Sequence, residues 1–351
     1  MTLSATISIL QAVPSPILII DPDERVVQCN GAARTLFGGD VTGRAFVTVL
    51  RQPAIGLILE AALVQNRSDQ SEVRIAPGKR EMIAMITATP LAPEPGGLVP
   101  KGGALLSFQD VTDQREAEAI RRDFVANVSH ELRTPLTALS GFIETLRGAA
   151  RDDPKARDRF LAIMEREAQR MNRLVDDLLS LSRVESEERR RPTEKIDLSA
   201  VLKGAMQALS PVAQAQKVEL LREGKQGTLP VVGDPDQLTQ VFTNLIENGI
   251  KYGGAGGVLR LRVDPIDREP VLGGAAWRVT VEDEGDGIDE IHLPRLTERF
   301  YRVDTHRSRE QGGTGLGLAI VKHIISRHRG RMRVESKKGE GTRFIILLPV
   351  A

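Results

Sequence analysis

Cysteine is almost absent. Cys29 is the only one in 351 residues. One thiol cannot form an intramolecular disulfide framework, and its isolation fits a reducing compartment. Histidine is also scarce, with five in all. None precedes His130, and His292, His306, His323 and His328 follow, so the first third has no imidazole to ligate a haem. No charge of one sign prevails. The formal net charge of +1 gives no electrostatic reason to expect nucleic acid or an anionic membrane as the main partner. No apolar run approaches the roughly 18 residues of a membrane-spanning helix. The longest, Ile17 to Ile20 and Phe344 to Val350, are strand-sized. The N-terminus lacks a basic region followed by an apolar segment and a small-residue cleavage site. These absences predict a soluble, cytoplasmic protein. No solenoid period is present, and the length allows two or three domains.

What is present divides into three stretches: residues 1–113, 114–191 and 192–351. The first reads as a small α+β domain. Ile17-Leu-Ile-Ile-Asp21 and Arg25-Val-Val-Gln-Cys29 flank the turn residues Asp21-Pro-Asp-Glu24 and predict a hairpin. Asn30 is an N-cap type at the start of a helix. Residues 55–64 predict a further helix, and 72–75, 81–88 and 104–110 predict strands. Residues 90–103, rich in proline and glycine, predict a flexible connection. Strand, strand, short helices and three strands, with Asp21, Asn30-Gly-Ala-Ala33 and Phe108-Gln-Asp-Val-Thr-Asp113, resemble a PAS sensor domain. That resemblance leaves two roles open, holding a small ligand or mediating dimerisation. Cys29 reads as a strand residue rather than a flavin-reactive thiol.

The second stretch predicts two long helices, 114–148 and 155–188, joined by a polar turn with Pro154 at a helix start. Val125, Val128, Leu132, Leu136, Leu139, Ile143 and Leu146 recur at steps of three and four and form one apolar stripe. At about 100° per residue, His130 lies on the other face, with Thr134 one turn beyond it. Pro135 removes a backbone donor and predicts a kink or a loosened turn. Met164, Met171, Leu174, Leu178 and Leu181 form a coiled-coil-like seam on the second helix. Two antiparallel helices cannot bury both stripes alone, so a twofold four-helix bundle is expected.

The third stretch reads as a compact α/β domain with three chemical constellations. Asn244 and Asn248 lie one helical turn apart in Asn244-Leu-Ile-Glu-Asn-Gly-Ile-Lys-Tyr252, so their amide oxygens can converge. Mg²⁺ takes few protein oxygens beside phosphates, and Asn248 is the expected ligand. Lys251 and Tyr252 follow on the phosphate side. Asp283 ends a strand in Val281-Glu-Asp-Glu-Gly-Asp-Gly-Ile288 and can accept from an adenine amino group, with Gly285 and Gly287 admitting a flat base. Gln311-Gly-Gly-Thr-Gly-Leu-Gly317 frees backbone N–H groups to cradle phosphate before a helix, which brings in Gly313, Thr314, Gly315, Leu316 and Gly317. No Gly-Lys-Ser/Thr follows, so it is not a Walker loop.

His130-Glu-Leu-Arg-Thr-Pro-Leu136 resembles the phosphoacceptor motif of sensor histidine kinases. The three constellations, in this order, resemble the N, G1 and G2 boxes of the ATP-binding domain that those kinases share with Hsp90, gyrase and MutL. Residues 296–304 resemble the F box, and Gly339-Glu-Gly-Thr342 the last glycine box. Arg121-Arg-Asp-Phe-Val-Ala-Asn-Val-Ser-His130 and Arg299-Phe-Tyr-Arg-Val-Asp304 are most similar to the phosphate-regulon sensors, which would imply phosphate-starvation signalling. Gly249 and Gly253 depart from the usual Ala and Thr or Ser, and the absent membrane span departs from a periplasmic sensor. The implied fold is multidomain α+β: a PAS domain, a helical hairpin that dimerises, and a Bergerat-type α/β sandwich.

The implied chemistry is ATP- and Mg²⁺-dependent autophosphorylation of His130. Glu131 would set the imidazole tautomer and take its proton, and Lys251, Arg302 and Arg307 would stabilise phosphate charge. Transfer to an aspartate of a response regulator receiver domain would follow, with Thr134 orienting a water for regulator dephosphorylation. Asn244, Asn248, Tyr252, Asp283 and Thr342 would hold the nucleotide. Two rival readings stand beside this: a GHKL-type ATPase that clamps, which leaves His130 idle, and a non-catalytic dimeric scaffold.

Overall fold

The computed structural model describes residues 3–77, 81–187, 190–254, 256–303 and 313–351. It forms two compact units, Met1–Ala126 and Asn127–Ala351.

The first unit is built on a five-stranded antiparallel sheet in the order β2-β1-β5-β4-β3. Its strands are β1 (Ile17–Ile20), β2 (Val26–Cys29), β3 (Asp69–Ile75), β4 (Met82–Leu91) and β5 (Gly103–Asp110). Helices α2 (Gly31–Phe37), α3 (Phe46–Val49) and α4 (Pro53–Leu63) lie between β2 and β3. Leu18, Ile20, Ile55, Leu59, Ile86, Leu106 and Phe108 fill the interior. The expected hairpin is present, with Leu18 opposite Cys29. Where a flexible connection begins in the sequence reading, β4 continues through Pro90, which pairs with Ala104.

A first helix, α1 (Leu3–Ala12), was not legible in the sequence. Leu10 packs with Ile17, Ile19 and Val99 in a second, smaller cluster. Asn30 ties this helix down. It is wholly buried. Its Oδ1 accepts from the N–H groups of Ile17 and Ala33, and its Nδ2 donates to the carbonyls of Val13 and Ser15 and lies 3.4 Å from that of Leu10. Thus the expected N-cap also satisfies a buried loop.

The long helix α5 (Thr112–Arg147) and α6 (Pro154–Ser186) are the two expected helices. Pro135 is buried inside α5, and the helix runs on through it. Asp153 caps α6 by accepting from the N–H groups of Lys155 and Ala156. Phe142 stacks on Phe160 at 5.3 Å between ring centroids. Leu174 and Leu181 of the predicted seam are buried. Leu136, Ile143, Leu161, Val175 and Leu179 stay exposed on the single chain.

The rest of the second unit is a two-layer sandwich. Its sheet has the order β11-β12-β10-β9-β7, with β7 (Glu219–Gly224) parallel to β9 (Val258–Glu269). β10 (Gly274–Asp283), β11 (Arg331–Ser336) and β12 (Thr342–Pro349) complete it with antiparallel pairings. A small ribbon pairs β6 (Lys195–Asp197) with β8 (Pro230–Val232). The helices are α7 (Leu198–Ala215), α8 (Pro235–Tyr252) and α9 (Gly317–Arg327). Asp234 caps α8 with Pro235 at its first turn. Leu238, Val241, Phe242, Leu245 and Ile246 of α8 are buried, at helical spacing.

Candidate active site

A cavity of about 400 Å³ opens among α8, the end of β10, the start of α9 and one face of α6. That volume suits a small ligand. Each wall has a local cause. The apolar stripe of α8 faces the sheet, so the opposite face carries Asn244, Glu247, Asn248 and Lys251 into the cavity. Asn244 Nδ2 reaches the carbonyl of Gly317 at 3.5 Å, which links the N-box turn to the glycine loop. Lys251 Nζ is 2.7 Å from Glu247 Oε1 one turn back, so the expected phosphate contact is held by a carboxylate in this structure. Tyr252 follows at the rim.

Asp283 sits at the floor, 6% exposed. Burial pushes its carboxyl up to about 6, although the N–H groups of Gly285 and Thr342 work the other way. Gly285 N donates to Asp283 Oδ1 at 3.0 Å. The glycines after it have a more immediate reason than room for a base. A Cβ on Gly285 would lie 2.1 Å from the carbonyl of Tyr252. On Gly287, at φ 66°, it would lie 2.0 Å from that of Lys337. Close approach of backbone to backbone is what these positions require. Gly287 lines the cavity and Gly285 does not.

Gly313, Thr314, Gly315 and Gly317 form the wall before α9. Gly315 (φ 75°) lies against Phe300, which itself adopts φ 64° and donates its N–H to the carbonyl of Gly315. A left-handed phenylalanine is a rare conformation, and this contact fixes the F-box residue on the glycine loop. Leu316 differs from expectation. It is fully buried and absent from the cavity lining, and its N–H donates to Thr314 Oγ1 at 3.3 Å, so it braces the loop from behind. Thr342 is buried, lines the cavity and shares a hydrogen bond with Ser336. Gln311, Gly312, His306, Arg307 and Asp304 lie outside the described residues.

The phosphoacceptor motif shows a different pairing from the one expected. His130 is exposed on α5. Thr134, also exposed, donates its hydroxyl to the carbonyl of His130 at 3.2 Å. Glu131 does not hold the imidazole here. Its Oε2 accepts from Arg170 of α6 at 2.9 Å and from Arg302 at 3.1 Å. Arg302, 7% exposed, also lines the cavity.

Sequence reasoning missed the contribution of α6. Arg173, Asp176 and Asp177 line the cavity. Thr314 donates its hydroxyl to Asp177 Oδ2 at 2.6 Å. Burial raises the carboxyl of Asp177, with Glu247 adding to the rise. The available signal was a pair of carboxylates beside the apolar seam at Leu174 and Leu178, but a seam does not say what its flank will meet. Further contacts bind α6 to the sandwich: Ser180 with Gln240, Glu185 with Arg299, and Glu187 with Arg327.

This geometry has counterparts in known proteins. A model of "Histidine kinase-, DNA gyrase B-, and HSP90-like ATPase" matches residues 233–351, one of the "His Kinase A (phospho-acceptor) domain" matches 120–187, and one of the "PAS domain" matches 7–68. The chain belongs to the two-component sensor histidine kinases. It is 33% identical over 346 residues to the sensor protein kinase WalK of Staphylococcus aureus (strain Newman), covering 97% of this chain and 54% of that one. It is 34% identical over 345 residues to WalK of Staphylococcus saprophyticus, with the same shares. The chain therefore spans about half the length of these curated relatives. The solved structure of histidine kinase ThkA in complex with response regulator protein TrrA shares the fold, with a TM-score of 0.55, 23% identity and 98% of both chains covered. The PAS, helical-hairpin and ATPase folds expected from the sequence are all present in this chain. The expectation of phosphate-starvation signalling finds no support, since these relatives are WalK kinases. Among the described residues, no helix is long and apolar enough to cross a membrane.

Proposed function

We propose that the protein is an ATP-dependent kinase that phosphorylates its own His130 and passes the phosphoryl group to an aspartate of a response regulator. One observation carries this reading: Arg302, in the wall of the cavity built from the three boxes, touches the residue that follows His130. We assign residues 1–113 to sensing, 114–191 to dimerisation and phosphotransfer, and 192–351 to ATP binding, in a cytoplasmic homodimer. The exposed apolar residues of α5 and α6 support the dimer.

The residues present fit ATP with Mg²⁺. The cavity combines an apolar wall (Ile288, Leu296, Phe344), a carboxylate on its floor, amides on α8 and a glycine loop before a helix. Asp283 accepts a hydrogen bond from the adenine amino group. Asn248, aided by Asn244, offers an amide oxygen to Mg²⁺, a hard cation, which offsets phosphate charge when bound. Lys251, released from Glu247, and Arg302, released from Glu131, add positive charge there. Once freed from Arg302, Glu131 is placed to hydrogen-bond the imidazole of His130 and accept its proton as the nitrogen attacks the γ-phosphorus, whose bond to the β–γ bridging oxygen breaks to release ADP. Thr134 keeps its hydroxyl one turn from His130, where it can orient a water for regulator dephosphorylation.

The test is incubation with γ-labelled ATP and Mg²⁺ of the parent, His130→Gln and Asn248→Ala. Alkali-stable, acid-labile label in the parent and none in either variant is expected. Label persisting in His130→Gln moves the acceptor elsewhere. ATP hydrolysis without label favours a clamping ATPase, and binding without turnover a scaffold.

A further inference from the structure

We infer that each copy of this chain phosphorylates its own His130, not that of a second copy. The inference rests on the kinase reading and concerns which histidine is the substrate.

Two independent observations carry it. First, the nucleotide cavity and the phosphoacceptor are bridged within one chain. Arg302 lines the cavity and donates to Glu131 Oε2 at 3.1 Å, and Glu131 adjoins His130. The contact is sheltered, with Arg302 at 7% and Glu131 at 19% side-chain exposure. It is braced by Arg170, which shares the same carboxylate oxygen. The catalytic wall thus already faces the intrachain histidine helix.

Second, the tether has little slack. Arg327, 8% exposed, donates to the backbone carbonyls of Glu187 and Arg190 and to Gln237 Oε1. It also pairs with the carboxylates of Glu187 and Asp234. The chain leaving α6 is therefore pinned onto α8 and α9 within a few residues of the helix end. Only the stretch from Arg190 to β6 at Lys195 remains, at most about 18 Å when extended. The sandwich is thereby held against its own α6, the helix that lies alongside the intrachain histidine helix. Presenting the cavity to a second copy's histidine would require giving up the Glu131–Arg302 contact for one across the dimer. The intrachain His130 adjoins the residue that Arg302 already touches.

Heterodimers with one tag on each copy test this. In the first, a wild-type copy is joined to one carrying both His130→Gln and Asn248→Ala. In the second, a His130→Gln copy is joined to an Asn248→Ala copy. The first is expected to take up label at about half the level of the parent homodimer, since one of two sites is complete, and the second to stay at background. Label in the second, alone or together with the first, overturns the inference, as does absence of label from both. Should the chain remain monomeric, a labelling rate per molecule that holds on serial dilution supports the inference, and one that falls overturns it. A parent that takes up no acid-labile label fails the kinase reading itself.

Discussion

Replacing Asp283 by Asn should stabilise the ATP-binding sandwich while weakening its hold on nucleotide. Asp283 is 6% exposed and its carboxyl is raised from 3.8 to about 6, chiefly by burial. A raised acid means that the folded state binds the proton more tightly than the unfolded chain. Stability due to this group is therefore greatest at acid pH and falls as pH rises from near 3.8 to about 6. The shift corresponds to a cost of up to about 3 kcal/mol at neutral pH, at about 1.4 kcal/mol per pH unit. Asparagine removes the charge and keeps an oxygen to accept from Gly285 N. The expected gain is about 1–3 kcal/mol near neutrality, shrinking towards zero as pH approaches 3.8. Urea unfolding followed through Trp277 is the assay. It is the only tryptophan in the chain and lies in β10, so its emission reports on this sandwich. The same substitution should weaken ATP binding by about tenfold to a hundredfold, because the adenine amino group loses a charged acceptor. A variant less stable than the parent at neutral pH, or a difference that does not change with pH, would refute the reasoning.

Other consequences can be checked with the same probe. Gly285→Ala should destabilise by about 1–3 kcal/mol or more, since its Cβ would meet the Tyr252 carbonyl at 2.1 Å; an unchanged midpoint contradicts this. Leu181→Ala, at a site 1% exposed, should cost about 2–5 kcal/mol in the second unit. His328 is buried, accepts from the N–H of Asp234, and has its basicity lowered by burial. The unfolded chain therefore binds that proton more readily, and stability due to His328 should be lost as pH falls below about 6.5; thermal midpoints across that range in the parent and His328→Gln measure it. Arg327→Met should expose the chain between Glu187 and Lys195 to limited proteolysis, and equal cleavage rates would show that the clasp is dispensable.

Short-range chemistry was legible in the sequence. The cap at Asn30 and the proline that opens α6 at Pro154 obey local rules, and the boxes of the ATP site lie on helix ends and strand ends that periodicity and turn residues mark. The sequence reading went astray where side chains meet across long separations. Glu131 and Arg302 are 171 residues apart, and Thr314 and Asp177 are 137 apart. Helical spacing tells which face is polar, not which cation or hydroxyl will arrive there. The glycines after Asp283 were read as space for a ligand because their tight backbone neighbours, Tyr252 and Lys337, come from other elements. Helix α1 escaped notice because its burial depends on a second apolar cluster behind the sheet, which no pattern inside residues 3–12 announces.

The carboxamide of Asn30 has a consequence for how the sensor unit opens. Terminal helices commonly fray with little free energy, and their amides exchange quickly with solvent. Here one wholly buried side chain is bonded at once to the loop after α1, the first residue of β1 and the first turn of α2. Detaching α1 would strand that amide without partners in an apolar setting, a penalty of about 1–3 kcal/mol. The end of the first helix and the start of the first strand should therefore exchange their amide hydrogens as one cooperative unit, in step with the sheet rather than ahead of it.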